Sequence, residues 1–277
     1  MSYVPGHPKE TTAYHGRRTA TTNARHLLPF LSPSSNPNLP PHPKLLDIGC
    51  GPGSITLDLA RLLPQGEVIG LDTNPELMAS NAEEAEKKGV GNVRFVTGDA
   101  YALPFDDGEF DIVHTHQVLA HLTDPVRALK EVKRVLNPTT GLISLREAIL
   151  ECTTFSPTDS NPELTRFNRS LESMMRKRGQ NPNAGKSLHV WAASLGFPRE
   201  KMIVSSGTET FTGRGLVELC GSMVGRCKGT EWREAMLETG VLSDGEEMKR
   251  FEEGWRKLGE EDDGFYLLLA GELIARV

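Results

Sequence analysis

The sequence predicts an α/β fold built on a doubly wound parallel sheet, and three observations carry that prediction. Short apolar runs alternate with longer amphipathic stretches between Leu45 and Leu145, the pattern of strand and helix in turn. A glycine-rich segment, KLLDIGCGPG over Lys44–Gly53, joins the first run to the first helix. Asp47, Asp72 and Asp99 stand at or just past the ends of the first three runs, where ligands meet the carboxyl edge of such a sheet.

The elements follow in order. Met1–Thr12 is polar and proline-bearing, with too little apolar surface to fold alone, and is expected to be mobile. Ala13–Leu31 places Ala20, Ala24, Leu27 and Leu28 at helical spacing and stops before Pro33, which predicts a helix packed beside the core. Ser32–Pro43, SPSSNPNLPPHP, reads as a semi-rigid spacer. Then come a strand at Leu45–Ile48, a helix at Ser54–Leu63, a strand at Val68–Leu71, a helix at Asn74–Lys88 with Pro75 in its first turn, and a strand at Val93–Val96. A fourth strand opens at Asp111, Pro125–Leu136 is the next helix, and Leu142–Leu145 is the fifth strand.

Beyond Glu147 the pattern thins. A helix is expected over Pro162–Arg178, with Leu164, Phe167, Leu171, Met174 and Met175 as its apolar stripe. Another covers Lys186–Leu195 and ends at Gly196. Lys201–Ser205 reads as a sixth strand and Gly264–Val277 as the last. Gly215–Glu260 is a helical insertion holding Met223, Trp232, Met236, Met248 and Trp255, a composition that suits a lid over an apolar substrate or a small helical subcore equally. The expected organisation is an arm, lid helix and linker over 1–43 and one domain over 44–277, with cap insertions at about 151–185 and 214–262.

The glycine segment has a chemical reading. Gly49, Gly51 and Gly53 follow the strand directly and precede a helix, and glycine is needed where the backbone turns sharply and a ligand approaches the main chain. The spacing is G-x-G-x-G, not the G-x-G-x-x-G of a dinucleotide site. Asp47 at the strand end would repel a phosphate and suits a cation. Asp72, followed by Thr73, ends the second strand and is placed to accept hydrogen bonds from the two hydroxyls of a ribose. Gly98-Asp99 could also be plain turn chemistry.

These motifs, with Asp99-Ala100 and the run FDIVHTHQVLAHLTDPVRALKEVKRVLNP, resemble the class I S-adenosylmethionine-dependent methyltransferases. The nearest branch is the small-molecule group that includes the ubiquinone/menaquinone-biosynthesis C-methyltransferases. The resemblance covers Leu45 to Glu147. It implies a Rossmann-like sheet of seven strands in the order 3-2-1-4-5-7-6, the last strand antiparallel, with S-adenosyl-L-methionine as cofactor. It also implies that Cys50 turns its backbone to the methionine half, that Asp99 and Ala100 hold the adenine, and that Thr115, His116 and Gln117 lie near the sulfonium. The segment with Tyr14 and His15 would lie over the cofactor. His116 has the right ordinary pKa for a general base but equally suits the cofactor wall, while His114 is expected to pack under the sheet and His121 to be structural. Where relatives carry Pro-Gly-Gly before strand five, this chain has Asn137-Pro138-Thr139-Thr140-Gly141, a departure expected to touch only the turn.

Composition narrows the class. With 31 Lys and Arg against 37 Asp and Glu, the net charge is −6 and no basic run stands out, which argues against nucleic acid as partner. The four cysteines, Cys50, Cys152, Cys220 and Cys227, show no zinc spacing, and no metal is implied. No run approaches the length of a membrane span and the first residues lack the apolar core of a signal peptide, so a cytoplasmic location is expected. The expected activity is methyl transfer to a small organic acceptor through a C, O, N or S nucleophile. The alternative is a binding protein or pericyclase-like enzyme that keeps the cofactor site without methyl transfer; protein or RNA substrates are disfavoured by the charge.

Overall fold

The structure, a computed structural model, describes residues 15–32, 34, 36–158, 161–243 and 245–277. The segment expected to be mobile, and Tyr14, lie outside the described residues. Among the described residues eight strands form one sheet: β1 (Lys44–Ile48), β2 (Glu67–Asp72), β3 (Val93–Thr97), β4 (Ile112–His116), β5 (Leu142–Ala148), β6 (Thr154–Ser156), β7 (Met202–Thr212) and β8 (Phe265–Arg276). The first five are parallel in the order β3-β2-β1-β4-β5. β8 then runs antiparallel beside β5, with β7 on its far side. The last strand therefore inserts as the sequence implies, and the order without β6 is the expected one. β6, which the sequence does not announce, is a three-residue strand that pairs with the opening residues of β8.

Two-sided burial explains why these strands read as continuous apolar runs. Along β1, β2 and β4, neighbouring residues go to opposite faces: Leu45, Val68 and Ile112 pack on one side, Leu46, Ile69 and Val113 on the other. The first face is covered by α1 (Ala20–Asn23), α2 (Ser54–Leu62) and α3 (Pro75–Lys87), the second by α4 (Pro125–Val135) and α6 (Leu188–Ser194). Between α4 and α6 lies α5 (Pro162–Lys177), which joins α7 (Gly213–Lys228), α8 (Thr230–Glu238) and α9 (Glu246–Glu260) in a separate helical cluster.

Helix starts follow their caps. The Asn74 side chain accepts a hydrogen bond from the Leu77 N–H at 3.0 Å and the Asp124 side chain one from the Arg127 N–H at 3.0 Å, each followed by proline at the first helical position. Among the described residues of the stretch expected to form a single helix, Ala13–Leu31, α1 is one turn and Leu28–Leu31 a separate 3-10 turn. Thr19, Thr22 and Asn23 explain the break. Thr19 is extended and caps α1, its Oγ1 accepting from the Thr22 N–H at 3.2 Å, so a helix starts here and does not run through, while Asn23 Oδ1 accepts from Thr22 Oγ1 at 2.7 Å. The apolar spacing still marked burial correctly, since Ala20, Ala24 and Leu27 are fully enclosed. The spacer also packs more closely than expected, with Asn36 buried and its Nδ2 donating to the Phe30 carbonyl at 3.2 Å. In the turn before β5, Asn137 Oδ1 accepts from the Thr139 and Thr140 N–H groups at 3.0 and 3.2 Å, an Asx turn remote from the ligand edge.

Phe110, which precedes β4, is fully buried and meets Phe105 edge-on at 4.9 Å. Phe110→Ala is expected to lower stability by about 3–5 kcal/mol. Urea unfolding reads this as a lower midpoint at unchanged slope; a midpoint equal to wild type would contradict the packing described.

Candidate functional site

The glycine turn is fastened at both ends. The N–H groups of Gly49 and Cys50 donate to the Leu71 carbonyl at 2.7 and 3.0 Å, and the Gly51 N–H donates to Asp72 Oδ2 at 3.0 Å. Asn81 Nδ2 donates to the Gly51 carbonyl at 2.8 Å. The three glycines sit at φ of +68°, +52° and +72°, a region other residues rarely adopt. A Cβ on Gly49 would run into the Val118 side chain, whereas one on Gly51 would meet nothing within 4 Å. Gly51 thus presents bare backbone to open space, a cradle that a side chain would fill.

That space is a cavity of about 290 Å³ at the carboxyl edge of β1, β2 and β4. Asp47, Gly49, Cys50, Gly51, Asp72 and Thr73 form one side of its wall; Asp99, Ala100, His116 and Gln117 complete it. Two expected site residues fall elsewhere. Gly53 lies at the start of α2, where a Cβ would press on Phe95, and Thr115 points to the opposite face of the sheet with its buried hydroxyl unpartnered among the described residues. His114 is buried and bonded to Ser144, also away from the cavity, as expected. His121, expected to be structural, lines the wall instead.

Several wall residues were not singled out from the sequence. Arg18 reaches in from the N-terminal segment and its Nη2 donates to Gln117 Oε1 at 2.9 Å. Gln117 itself holds a φ of +55°, a strained value for a side-chain-bearing residue. The strain is held by Glu147, whose carboxylate accepts from the Val118, Leu119 and Ala120 N–H groups at 2.9, 2.8 and 3.2 Å. An acid at the carboxyl end of β5, the same edge as Asp47 and Asp72, was the available signal.

The carboxylates differ in state. Asp47 is buried and accepts from Thr56 Oγ1 at 2.6 Å; burial raises its pKa to about 7, the Thr56 bond opposes this, and the nearby Asp72 charge adds to the rise. Glu147 is also raised to about 7 by burial, against its backbone bonds. Burial and the two aspartates push the Cys50 thiol well up, so it stays protonated. Asp99 Oδ1 accepts from the Tyr101 N–H at 2.9 Å, so turn chemistry and a place on the cavity wall coexist. His116 is held far below its ordinary value by burial, then by Arg18 and Arg146. Arg146 Nη1 lies 2.8 Å from His116 Nε2; arginine can only donate, so this nitrogen accepts and the proton sits on Nδ1.

A second cavity of about 140 Å³ adjoins the first, and His15, Arg18, Gln117 and His121 belong to both walls. Its far wall is made by α5, α7, α8 and α9, where Phe167, Met174, Met223, Trp232 and Trp255 line it. The α5 stripe and the insertion therefore pack as a subcore and line a chamber at once.

Residues 41–180 match the family described as "Methyltransferase domain". Over 99% of its length the chain is 32% identical to the uncharacterized methyltransferase C1B3.06c of Schizosaccharomyces pombe, covering 96% of that protein. The chain belongs to the methyltransferase domain family. A demethylmenaquinone methyltransferase of Staphylococcus carnosus is 44% identical over 96 residues, which is 34% of this chain and 39% of that one. The crystal structure of YcgJ from Bacillus subtilis shares the fold at a TM-score of 0.52 and 20% identity, over 90% of this chain and 97% of that one. The protein is an S-adenosylmethionine-dependent methyltransferase with S-adenosyl-L-methionine as its cofactor. The wall fits that ligand: three carboxylates for a cation and its hydroxyl and amine groups, and the Gly51 cradle for close approach.

The buried groups set a pH dependence for this methyltransferase. His26 is held at about 3, His114 and His121 at about 4, and His116 well below normal, so the unfolded chain binds protons there that the folded one refuses below about pH 6.5. Asp47 and Glu147 act oppositely: raised to about 7, they favour the folded state at low pH and lose that contribution as pH rises. Four histidines outweigh two carboxyls, so the melting temperature is expected to be lower at about pH 5 than at about pH 7. An equal or higher value at the lower pH would contradict these assignments.

Proposed function

We propose that the enzyme transfers the methyl group of S-adenosyl-L-methionine to a small organic acceptor held in the second cavity. The observation that carries this reading is the shared wall: a carboxylate-lined chamber and an apolar chamber meet at His15, Arg18, Gln117 and His121. When bound, the cofactor supplies an already activated methyl sulfonium. The protein's task is alignment of acceptor and methyl carbon and exclusion of water. Asp47 would stand toward the cationic methionine half, Asp72 would accept the ribose hydroxyls, and Asp99 with Ala100 would take the adenine edge. Cys50 would contribute backbone, consistent with its protonated thiol.

His116 is assigned to the wall and not to base catalysis. Its Nε2 lone pair is engaged by the guanidinium of Arg146, and two neighbouring arginines disfavour a second proton. The demethylmenaquinone methyltransferase relative supports a small-molecule acceptor for this branch, and the net charge of −6 supports it over nucleic acid.

A transfer assay with methyl-labelled cofactor against metabolite extracts is expected to yield a labelled small molecule identifiable by mass. Cofactor binding without any labelled product from any extract would favour the cyclase-like alternative. Asp72→Ala is expected to weaken S-adenosylhomocysteine binding at least tenfold, about 1.4 kcal/mol; calorimetry giving equal affinities would remove the ribose assignment. His116→Gln is expected to leave the shape of the pH–rate profile unchanged, and loss of its acidic limb would restore the base role.

A further inference from the structure

We propose that Thr56 is a positioning residue of the cofactor site, whose buried hydroxyl holds the Asp47 carboxyl group ready to exchange its proton for the ammonium of the cofactor's methionine half; this rests on the reading of Asp47 given above. The first ground is how little holds Asp47. Its side chain is buried at the end of β1 and lines the first cavity. Yet among the described residues it accepts a single hydrogen bond, from Thr56 Oγ1 at 2.6 Å, and no cation pairs with it. Glu147, equally buried, accepts three. A buried carboxylate with one donor and no counter-charge keeps a proton until a cation arrives.

The second ground is Thr56 itself. It is fully buried in the first turn of α2, between Ile55 and Leu57, and its hydroxyl crosses to β1. A buried hydroxyl is costly unless bonded, and this bond becomes charge-assisted once Asp47 is ionised. Burial favours the neutral acid and the Thr56 bond opposes it, while the charge of Asp72 adds to the rise, which leaves Asp47 at about 7. Thr56 thus sets how readily Asp47 gives up its proton.

The surroundings leave Asp47 as the group to titrate. The same cavity wall carries Asp72, Asp99, Tyr101, His15, Arg18, Cys50, His116 and His121, and His114 lies beside Asp47 in the ladder of β1 and β4. Cys50, which also meets Thr56, stays protonated, and the histidines at 114, 116 and 121 stay neutral near pH 7. Glu147 is likewise held at about 7, but it bonds the turn after β4 and not Thr56. The exchange balances: the Asp47 proton passes to solvent, and the carboxylate so formed meets one positive charge.

S-adenosylhomocysteine, which keeps the ammonium, would be titrated into the protein by calorimetry between about pH 5.5 and about pH 8.5, in buffers of differing ionisation heat that count the protons released. Wild type is expected to release about half a proton at about pH 7, and to bind about tenfold weaker at about pH 6 than at about pH 8.5. 5′-Methylthioadenosine, which lacks the ammonium, is expected to release none. Thr56→Val keeps the shape and loses the hydroxyl, so the loss of affinity should begin about one pH unit higher. It is then expected to bind about tenfold weaker than wild type at about pH 6.5, yet within about threefold at about pH 8.5. Thr56→Ser should restore the wild-type profile. Recovery of affinity at the higher pH also reports that the valine variant is folded. Equal weakening of Thr56→Val at every pH would mark a packing role and overturn the proposal, as would wild-type binding of S-adenosylhomocysteine without proton release. Methylthioadenosine binding as tightly as S-adenosylhomocysteine at every pH would instead remove the Asp47 reading, and the proposal with it.

Discussion

The buried guanidinium of Arg146 is the constraint around which the site side of the sheet is arranged. It is 1% exposed, and a charge so enclosed persists only with full compensation. Glu209 of β7 and Glu272 of β8 provide it at 3.0 and 3.3 Å, and His116 of β4 accepts at 2.8 Å. One side chain thus ties the parallel half of the sheet to the antiparallel pair that carries the cap. Removing it would leave two carboxylates uncompensated, a penalty of about 3–5 kcal/mol by comparison with other broken buried pairs.

Strand alternation gives the next residue the opposite task. With Arg146 bonded across the sheet, Glu147 meets the backbone turn after β4 and fixes Gln117 and Val118 on the cavity wall. Two consecutive charged residues of β5 therefore serve both the charge balance of the sheet and the shape of the first cavity. In the same arrangement His116 Nε2 belongs to the network that holds the strands together.

Much of this was legible in the sequence because it is local. The glycine turn, the acids at strand ends and the Asn74-Pro75 and Asp124-Pro125 helix starts are short-range signals: both helices start at those pairs, and Gly49, Gly51, Asp47, Asp72 and Asp99 line one cavity. What escaped is long-range or competitive. The start of α1 after Thr19 follows from that residue's cap on the Thr22 N–H, which apolar spacing does not register. β6 exists only because β8 offers it an edge. The extension of β7 to Thr212 beyond the expected Ser205 follows its pairing along the whole of β8. Arg18 and Glu147 gain their meaning from partners about a hundred and about thirty residues away, and Thr115 was misplaced because the face a strand residue occupies depends on register with its neighbours.

The segment from His15 to Ala20 joins the two chambers, and the strength of its bonds explains what it can do. Ser54 Oγ donates to the His15 carbonyl at 3.3 Å, the Ala20 N–H donates to Asp58 Oδ2 at 3.1 Å, and Arg18 bonds Gln117. On the other side Arg17 pairs with Glu218, and Arg226 Nη2 lies 3.0 Å from His15 Nε2, both partners on α7. The segment therefore touches the wall of the first cavity and the cap at once. Of these contacts only Arg17–Glu218 is an exposed ion pair, worth about 0–1 kcal/mol; the rest are part-buried hydrogen bonds. Through His15 and Arg18 the segment is part of both cavity walls.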